Sequence, residues 1–307
     1  MELIFKALTL EYQDAVESIL SKIHNQSCQF SFASLFSYKD KYGTEICIDR
    51  HNTIFIRQLK RTHNQRIAYF LPLNAKCLNS SIIQILETAK IQNHEVFFFG
   101  ILETDKEKLL KINCNNFLIQ ENRDWSEYLY SSNNIANLTD KNLSKIRRGV
   151  NQFWQLYGEK IIIETITPQN IPDIIQYQKQ WYNKNLTKKQ KPDSLTAENQ
   201  AIHNGLTNFT RLKLTGIVAK FDNIIIGYSY GLIISENVFD IMVQKANYEY
   251  RHIYKMLFHE IAQRYQKEAI LINMEEDIGI LGLRQLKTEY KPNNLLTKYI
   301  AIPQKAL

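Results

Sequence analysis

The sequence holds no pair of closely spaced cysteines: Cys28, Cys47, Cys77 and Cys114 stand far apart with no CxxC among them, which argues against a zinc site or a disulfide framework and suits a reducing compartment. It holds no long hydrophobic run either. The most apolar stretch, VFFFGIL at 96 to 102, is far too short to cross a bilayer, and the N-terminus lacks a charged segment followed by an apolar one, so a soluble cytoplasmic protein is expected. No G-x-S-x-G, P-loop or G-x-G-x-x-G is present, leaving serine hydrolase, P-loop and Rossmann chemistry without support. His259 and Glu260 begin like a zinc-protease helix, but Gln263 occupies the second histidine position, so that motif fails and no metal site is expected.

What is present is enough for two cores. The chain has 307 residues, 44% of them hydrophobic, and a formal charge of +7. The positive charge gathers in tracts at 57 to 66, 141 to 148 and 184 to 191, which points to anionic partners.

Hydrophobic patterning predicts an α/β (α+β) protein whose two halves repeat one order of elements, β, α, α, β, β, β, α, β, α, β. In the first half the predicted strands are LIFKAL, TEICID, TIFIRQL, RIAYFLPL, EVFFFGIL and NFLIQ, and helices are expected near Val16 to Ile23, from Ser81 and at 105 to 112. Residues 125 to 157 read as a broken helical connector rich in Asn and Lys. In the second half KIIIETI, GIVAKF, IIIGYSYGLII, VFDIMVQKA, AILIN and TKYIAI are the predicted strands, with Asp222-Asn223 as a two-residue hairpin turn. Duplication of topology explains the repeat, and the expected domains are 1–130 and 131–307; their order of elements resembles that of acyltransferases of the GCN5-related N-acetyltransferase (GNAT) type, which implies two tandem acyltransferase-like units.

The stretch from 273 to 293, NMEEDIGILGLRQLKTEYKPN, concentrates the chemistry. Glu275, Glu276 and Asp277 follow an apolar strand directly, at the strand end where α/β folds place ligands. Asp277 is a candidate N-cap, Gly279 permits a tight entry, and Leu283, Leu286 and Tyr290 recur at helical spacing until Pro292. Arg284, Lys287 and Lys291 would form one basic stripe. Acids before a helix and cations toward its end also offset the macrodipole, so part of this pattern is explained by helix stability alone.

Those residues resemble the signature of the phosphatidylglycerol lysyltransferase C-terminal-domain family: an Asn-x-Glu-x-Asp-Leu-Gly block, Leu-Arg-x-x-Lys, then Tyr-x-Pro, matched by Asn273, Glu275, Asp277, Gly279, Leu283, Arg284, Lys287, Tyr290 and Pro292. The connector is similar to the family's Tyr-rich basic segment through Tyr130, Leu138, Lys141, Lys145, Arg147, Arg148 and Asn151, and Glu198 and Lys245-Ala246 match further places. The likeness is most specific from about Asp124 to Tyr299. It implies two acetyltransferase-like domains and transfer of an aminoacyl group from aminoacyl-tRNA to an amine or hydroxyl acceptor such as a lipid head group or peptide.

Acyl transfer to an amine needs a group to take a proton and donors to hold the tetrahedral oxyanion. Glu275, Asp277 and Tyr290 are the candidate catalytic residues, and the carboxylates could equally grip the ammonium of an aminoacyl donor. Asn273, Arg284, Lys287, Lys245 and Glu198 are candidates for substrate binding, with the three cations Arg284, Lys287 and Lys245 available for phosphate or carboxylate. Lys141, Lys145, Arg147 and Arg148 form a candidate tRNA or phosphate footprint, with Trp154 and Tyr157 interleaved for stacking. One departure bears on the donor. No glycine lies between Ile241 and Ile253, and His252 takes the place where coenzyme A enzymes of this fold use a Gly-rich turn under the pyrophosphate. A CoA-dependent N-acyltransferase and a non-catalytic binding module stand as alternatives to the aminoacyltransferase.

Overall fold

The computed structural model describes residues 2–23, 26–112, 117–186, 192–235 and 237–304; Cys114 and most of the tract 184 to 191 fall outside them. Two compact units are present. The first comprises Met1–His24, Tyr38–Ser126 and Leu296–Leu307, and the second Asn25–Ser37 and Glu127–Leu295. Set beside the expected domains 1–130 and 131–307, three segments change sides: residues 25–37 and 127–130 count with the second unit and 296–307 with the first.

In the first unit β1 (Lys6–Ala7) and α1 (Gln13–Leu20) lead, after α2 (Phe32–Ser37) has been given to the second unit, to α3 (Lys39–Tyr42), β2 (Thr44–Ile48), β3 (Ile54–His63) and β4 (Arg66–Tyr69). Then come α4 (Leu78–Ile91), β5 (Val96–Ile101), α5 (Glu103–Leu110) and β6 (Phe117–Glu121). LIFKAL yields only a two-residue strand, and α4 starts three residues before Ser81.

The second unit runs β7 (Glu127–Ser131), α6 (Ser132–Asn137), α7 (Ser144–Tyr157), β8 (Ile161–Thr165), α8 (Ile171–Leu186), α9 (Pro192–Thr207), β9 (Thr215–Phe221), β10 (Ile224–Ser235) and β11 (Val238–Ala246). It continues with α10 (Ile253–Tyr265), β12 (Leu271–Glu276), α11 (Leu281–Glu289) and β13 (Asn294–Leu296), after which β14 (Tyr299–Pro303) closes the chain's order of elements. Asp222 and Asn223 both adopt positive φ, the conformation a tight hairpin between β9 and β10 requires.

Each unit has a seven-stranded mixed sheet, ordered β1-β2-β3-β4-β5-β14-β6 in the first and β13-β7-β12-β11-β10-β9-β8 in the second. Two expectations need correction here. TKYIAI does not complete the second sheet: as β14 it pairs antiparallel with β5 and β6 in the first. The connector is not wholly helical, because its first residues form β7, which pairs with β12 inside the second sheet.

The repeat is visible in the hydrogen bonding. Each sheet contains one short parallel pairing of three residues joined through a crossover helix: Ile67–Tyr69 of β4 with Val96–Phe98 of β5, and Val238–Asp240 of β11 with Leu271–Asn273 of β12. Just past each, the later strand breaks register with its other neighbour. The break contains Gly100 (φ 67°) in β5 and Glu275 (φ 57°) in β12, two residues after Phe98 and Asn273 respectively. Gly100 and Glu275 are therefore equivalent positions.

Side-chain parity sets the two faces of the second sheet. Tyr128, Tyr130, Phe239, Ile241 and Ile272 point into the apolar core with Ile146 and Phe153 of α7 and Leu257, Phe258 and Ile261 of α10. Strand alternation then turns Glu127, Asp240 and Asn273, on three adjacent strands, toward the opposite face. At about 25 cal/mol per Å², each large side chain in that core contributes roughly 1.5–3 kcal/mol, so the apolar face fixes where the polar one must look.

Candidate functional site

The site is built where β11 and β12 part company. Their pairing ends at Asp240 and Asn273, while β11 runs on to Ala246 and β12 to Glu276, so the sheet opens between them. Gly231 helps to set Asp240: it lies in a register break of β10, and a Cβ there would sit 1.7 Å from the Asp240 carbonyl oxygen. A glycine is required for that approach.

Glu275 stands at the end of β12, past the parallel pairing. Its backbone holds the left-handed conformation, with its amide donating to Asn273 Oδ1 at 2.7 Å. Among the described residues its half-buried carboxylate has neither a hydrogen-bond nor an ion-pair partner. Burial pushes its pKa well up, and the negative charges of Asp240 and Glu276 add to this against the opposing effect of Lys287. Nearby, Tyr230 is buried with a raised pKa, from burial first and then from Glu275 and Glu198, and its hydroxyl has no hydrogen-bond partner among the described residues. Glu198 pairs with Lys245 at 2.8 Å, and the Lys245 ammonium lies 4.6 Å from the centre of the Trp181 ring. The two positions, 47 residues apart in sequence, thus meet.

Behind Glu275 lies a second layer of acids. Glu127 is fully buried and hydrogen-bonded, accepting from Ser27 Oγ at 2.7 Å, the Cys28 amide at 3.0 Å and Asn273 Nδ2 at 2.5 Å. Asp240 is equally buried, and neither carboxylate oxygen has a hydrogen-bond partner among the described residues. Burial, Glu127 and Glu276 drive its pKa well above the usual range, against Lys287. Sequence reading passed over Glu127 and Asp240 because each is a single acid in an apolar strand; the signal was their place on the polar parity of their strands.

Asp277 and Tyr290 are held in structural contacts. Asp277 is buried and accepts from Tyr128 Oη (2.6 Å), the Gly279 amide (2.9 Å) and both Nε (2.9 Å) and Nη2 (2.8 Å) of Arg284. Burial opposes its ionisation, but the bonds from Arg284, Tyr128 and Gly279 outweigh that and hold its carboxyl far below the usual carboxylate range. It anchors the turn before α11 and does not cap it, since the N-cap is Ile280. Tyr290 lies in the apolar core, its ring 4.8 Å from that of Phe258, and burial raises its pKa.

The basic stripe dissolves in three dimensions. Lys287 is buried, donating to the carbonyl oxygens of Met274 and Glu276, with its pKa lowered by burial against the pull of Glu275 and Glu276. Arg284 is taken by Asp277, and Lys291 lies beyond the helix. Lys141, Lys145, Arg147 and Arg148 are exposed around the start of α7, where Arg147 Nη1 donates to the Leu138 carbonyl at 2.7 Å; Trp154 and Tyr157 are half-buried, with Tyr157 packed on Phe153 and Tyr250.

At the start of α10, His252 is the N-cap in the left-handed conformation and its Nε2 lies 2.9 Å from Gln152 Oε1. The amides of the preceding turn are already engaged: Glu249 with Asn247 Oδ1, Tyr250 with the Asn247 carbonyl, Arg251 with Tyr157 Oη and Ile253 with the Tyr250 carbonyl. That turn presents little that a pyrophosphate could use.

Two mixed sheets, each opening after a short parallel pairing and flanked by helices, define a tandem GNAT-like protein, and a tandem GNAT protein from the clavulanic acid biosynthesis pathway overlays with a TM-score of 0.51 at 9% identity, covering 100% of both chains. The chain belongs to the family described as phosphatidylglycerol lysyltransferase, C-terminal, whose profile matches residues 20–302. Among solved structures, a conserved protein of unknown function from Bacteroides thetaiotaomicron is similar at 27% identity and a TM-score of 0.90, covering 98% of this chain and 100% of that one. L-PGS from Bacillus licheniformis is similar in fold at 15% identity and a TM-score of 0.67, covering 96% and 92%. The search of curated proteins gives no match. No helix among the described residues is long and apolar enough to cross a membrane.

Proposed function

We propose that the protein is an aminoacyltransferase that moves an aminoacyl group from aminoacyl-tRNA to an amine or hydroxyl acceptor, such as a lipid head group or a peptide, in the opening between β11 and β12. The observation that carries this reading is Glu275: a carboxylate without a partner among the described residues, held in a conformation that favours glycine, two residues past the end of the β11–β12 pairing. Strain of this kind is kept where chemistry needs the side chain.

In the reaction the acceptor's nitrogen or oxygen attacks the ester carbonyl carbon of the donor. Glu275 takes the proton that the acceptor loses, the carbonyl oxygen becomes an oxyanion near Lys245 and the Tyr230 hydroxyl, and collapse breaks the bond to the ribose oxygen, which leaves with the proton that Glu275 carries. Glu198 orients Lys245. Asn273, Asp277, Arg284 and Lys287 hold the β12 to α11 turn, Tyr290 supports it from the core, and Lys141, Lys145, Arg147 and Arg148 meet tRNA phosphate.

The test is transfer from a labelled pool of aminoacyl-tRNAs to lipid and peptide acceptors by wild type and by Glu275→Gln, which keeps the size and backbone. Loss of general-base action corresponds to a drop of about 10²–10⁴-fold. Equal rates in the two proteins would refute the assignment. Stabilisation by acetyl-CoA, about 2.7 kcal/mol at a hundred times its dissociation constant, would instead favour the CoA-dependent alternative. Binding without turnover would favour a non-catalytic module.

A further inference from the structure

The buried acids behind Glu275 are more than a transfer site needs. Glu127, Asp240, Glu275 and Glu276 share one neighbourhood with the thiol of Cys28, as their mutual electrostatic effects record. The nearby cation, Lys287, is occupied by two carbonyl oxygens and makes no ion pair among the described residues. Buried carboxylates in such excess are ordinarily paired or bound to a metal.

The arrangement supplies ligands of mixed type. One atom each of Cys28 (Sγ), Glu127 and Glu276 lies within 4.8 Å of the others. Two buried side chains stand beside it. Asp240, 0% exposed, lies on the sheet face that Glu127 also takes, has both carboxylate oxygens without a hydrogen-bond partner among the described residues, and feels Glu127 and Glu276 most among the negative charges. Gln29, 8% exposed, donates from Nε2 to Glu276 Oε1 at 3.1 Å while its own Oε1 has no partner among the described residues.

We propose that Cys28, Glu127 and Glu276 bind a divalent cation of the zinc class, with the Asp240 carboxylate beside it. Thiolate with carboxylate favours zinc over calcium or magnesium, which take oxygen ligands alone. Zinc distances of about 2.3 Å to sulfur and 2.0–2.2 Å to oxygen would need each of the three atoms to move toward their common centre by less than about 1 Å. An ammonium is the lesser fit: it has no use for a thiol, and Cys28, Glu127 and Asp240 are all nearly or fully buried, beneath the turn at 27–30. The cation would fasten that turn to β7, β11 and β12, a structural task separate from the transfer chemistry assigned to Glu275.

The experiment uses the full chain, freed of any affinity tag and of metal. Zn2+ titration by calorimetry is expected to show one equivalent bound, and Co2+ a thiolate-to-cobalt absorption band in the near ultraviolet. Cys28→Ser should abolish the band, and Asp240→Asn, a near-isosteric change, should weaken Zn2+ binding at least about tenfold. Zn2+ should raise Tm in wild type and not in Cys28→Ser. Circular dichroism establishes that each variant is folded, and should one fail to fold, the wild-type cobalt band decides alone. Absence of that band in wild type, or an unchanged band and affinity in both folded variants, would overturn the proposal.

Discussion

Replacing Glu275 with glycine should make the protein more stable and inactive in one step. An L-residue in the left-handed region is disfavoured by about 1–2 kcal/mol. Glycine removes that strain but gains freedom in the unfolded chain, an opposing effect of about 0.4–1 kcal/mol. The backbone term alone then leaves a stabilisation of roughly 0.5–1 kcal/mol. To isolate it, Glu275→Gly is compared with Glu275→Gln: both lose the charge, and only the first relieves the backbone. In urea, with a slope of about 2 kcal/mol per molar, the glycine variant's midpoint should lie a few tenths molar above the glutamine variant's. The equivalent position gives the mirror test, because Gly100→Ala puts a side chain into the same conformation at φ 67° and should lower stability by roughly 0.5–1 kcal/mol. A Glu275→Gly protein no more stable than Glu275→Gln would refute the claim that strain is held at this residue.

Three further outcomes follow from the site's surroundings. Asp277→Asn, read by chemical denaturation, should lose about 2–4 kcal/mol, below the full value for a broken buried ion pair because the Arg284 side chain is 30% exposed. His94, whose Nε2 lies 2.9 Å from Tyr69 Oη, has its pKa lowered by burial and by Arg57. The unfolded chain then takes up its proton more readily, so stability contributed near pH 7 is lost as pH falls below about 6.5; a His94→Gln variant should flatten that part of the stability profile, and an unchanged slope would count against it. Gly231→Ala, with its Cβ facing the Asp240 carbonyl, should lower stability by about 3 kcal/mol or more, seen as a fall in soluble yield and Tm.

Local sequence carried the fold further than it carried the site. Alternation and turn residues located the strands, and the Asp222-Asn223 turn has the backbone its residue types require. What could not be read was which sheet a strand joins. TKYIAI has the same apolar pattern whether it completes one sheet or the other, and EYLYS is too short to stand out from a helical connector. The site divides in the same way. Glu275 was legible as an acid at the end of a buried strand. Asp240 and Glu127 were not, since their meeting depends on strand order, and Cys28 reaches them from a turn 99 residues before Glu127. Tyr290 shows the converse: helical spacing marks a tyrosine that faces inward, and cannot say whether it meets a ligand or, as here, Phe258.

The position of β14 bears on how the molecule is made. Because residues 299–303 lie between β5 and β6, a ribosome must translate past the entire second unit before the first sheet can be closed. The nascent first unit therefore waits with the edges of two strands open, while the second, whose sheet needs nothing beyond residue 296, can consolidate ahead of it. Maturation in this chain runs against the direction of synthesis, and a premature stop codon near its 3′ end would damage the part encoded first.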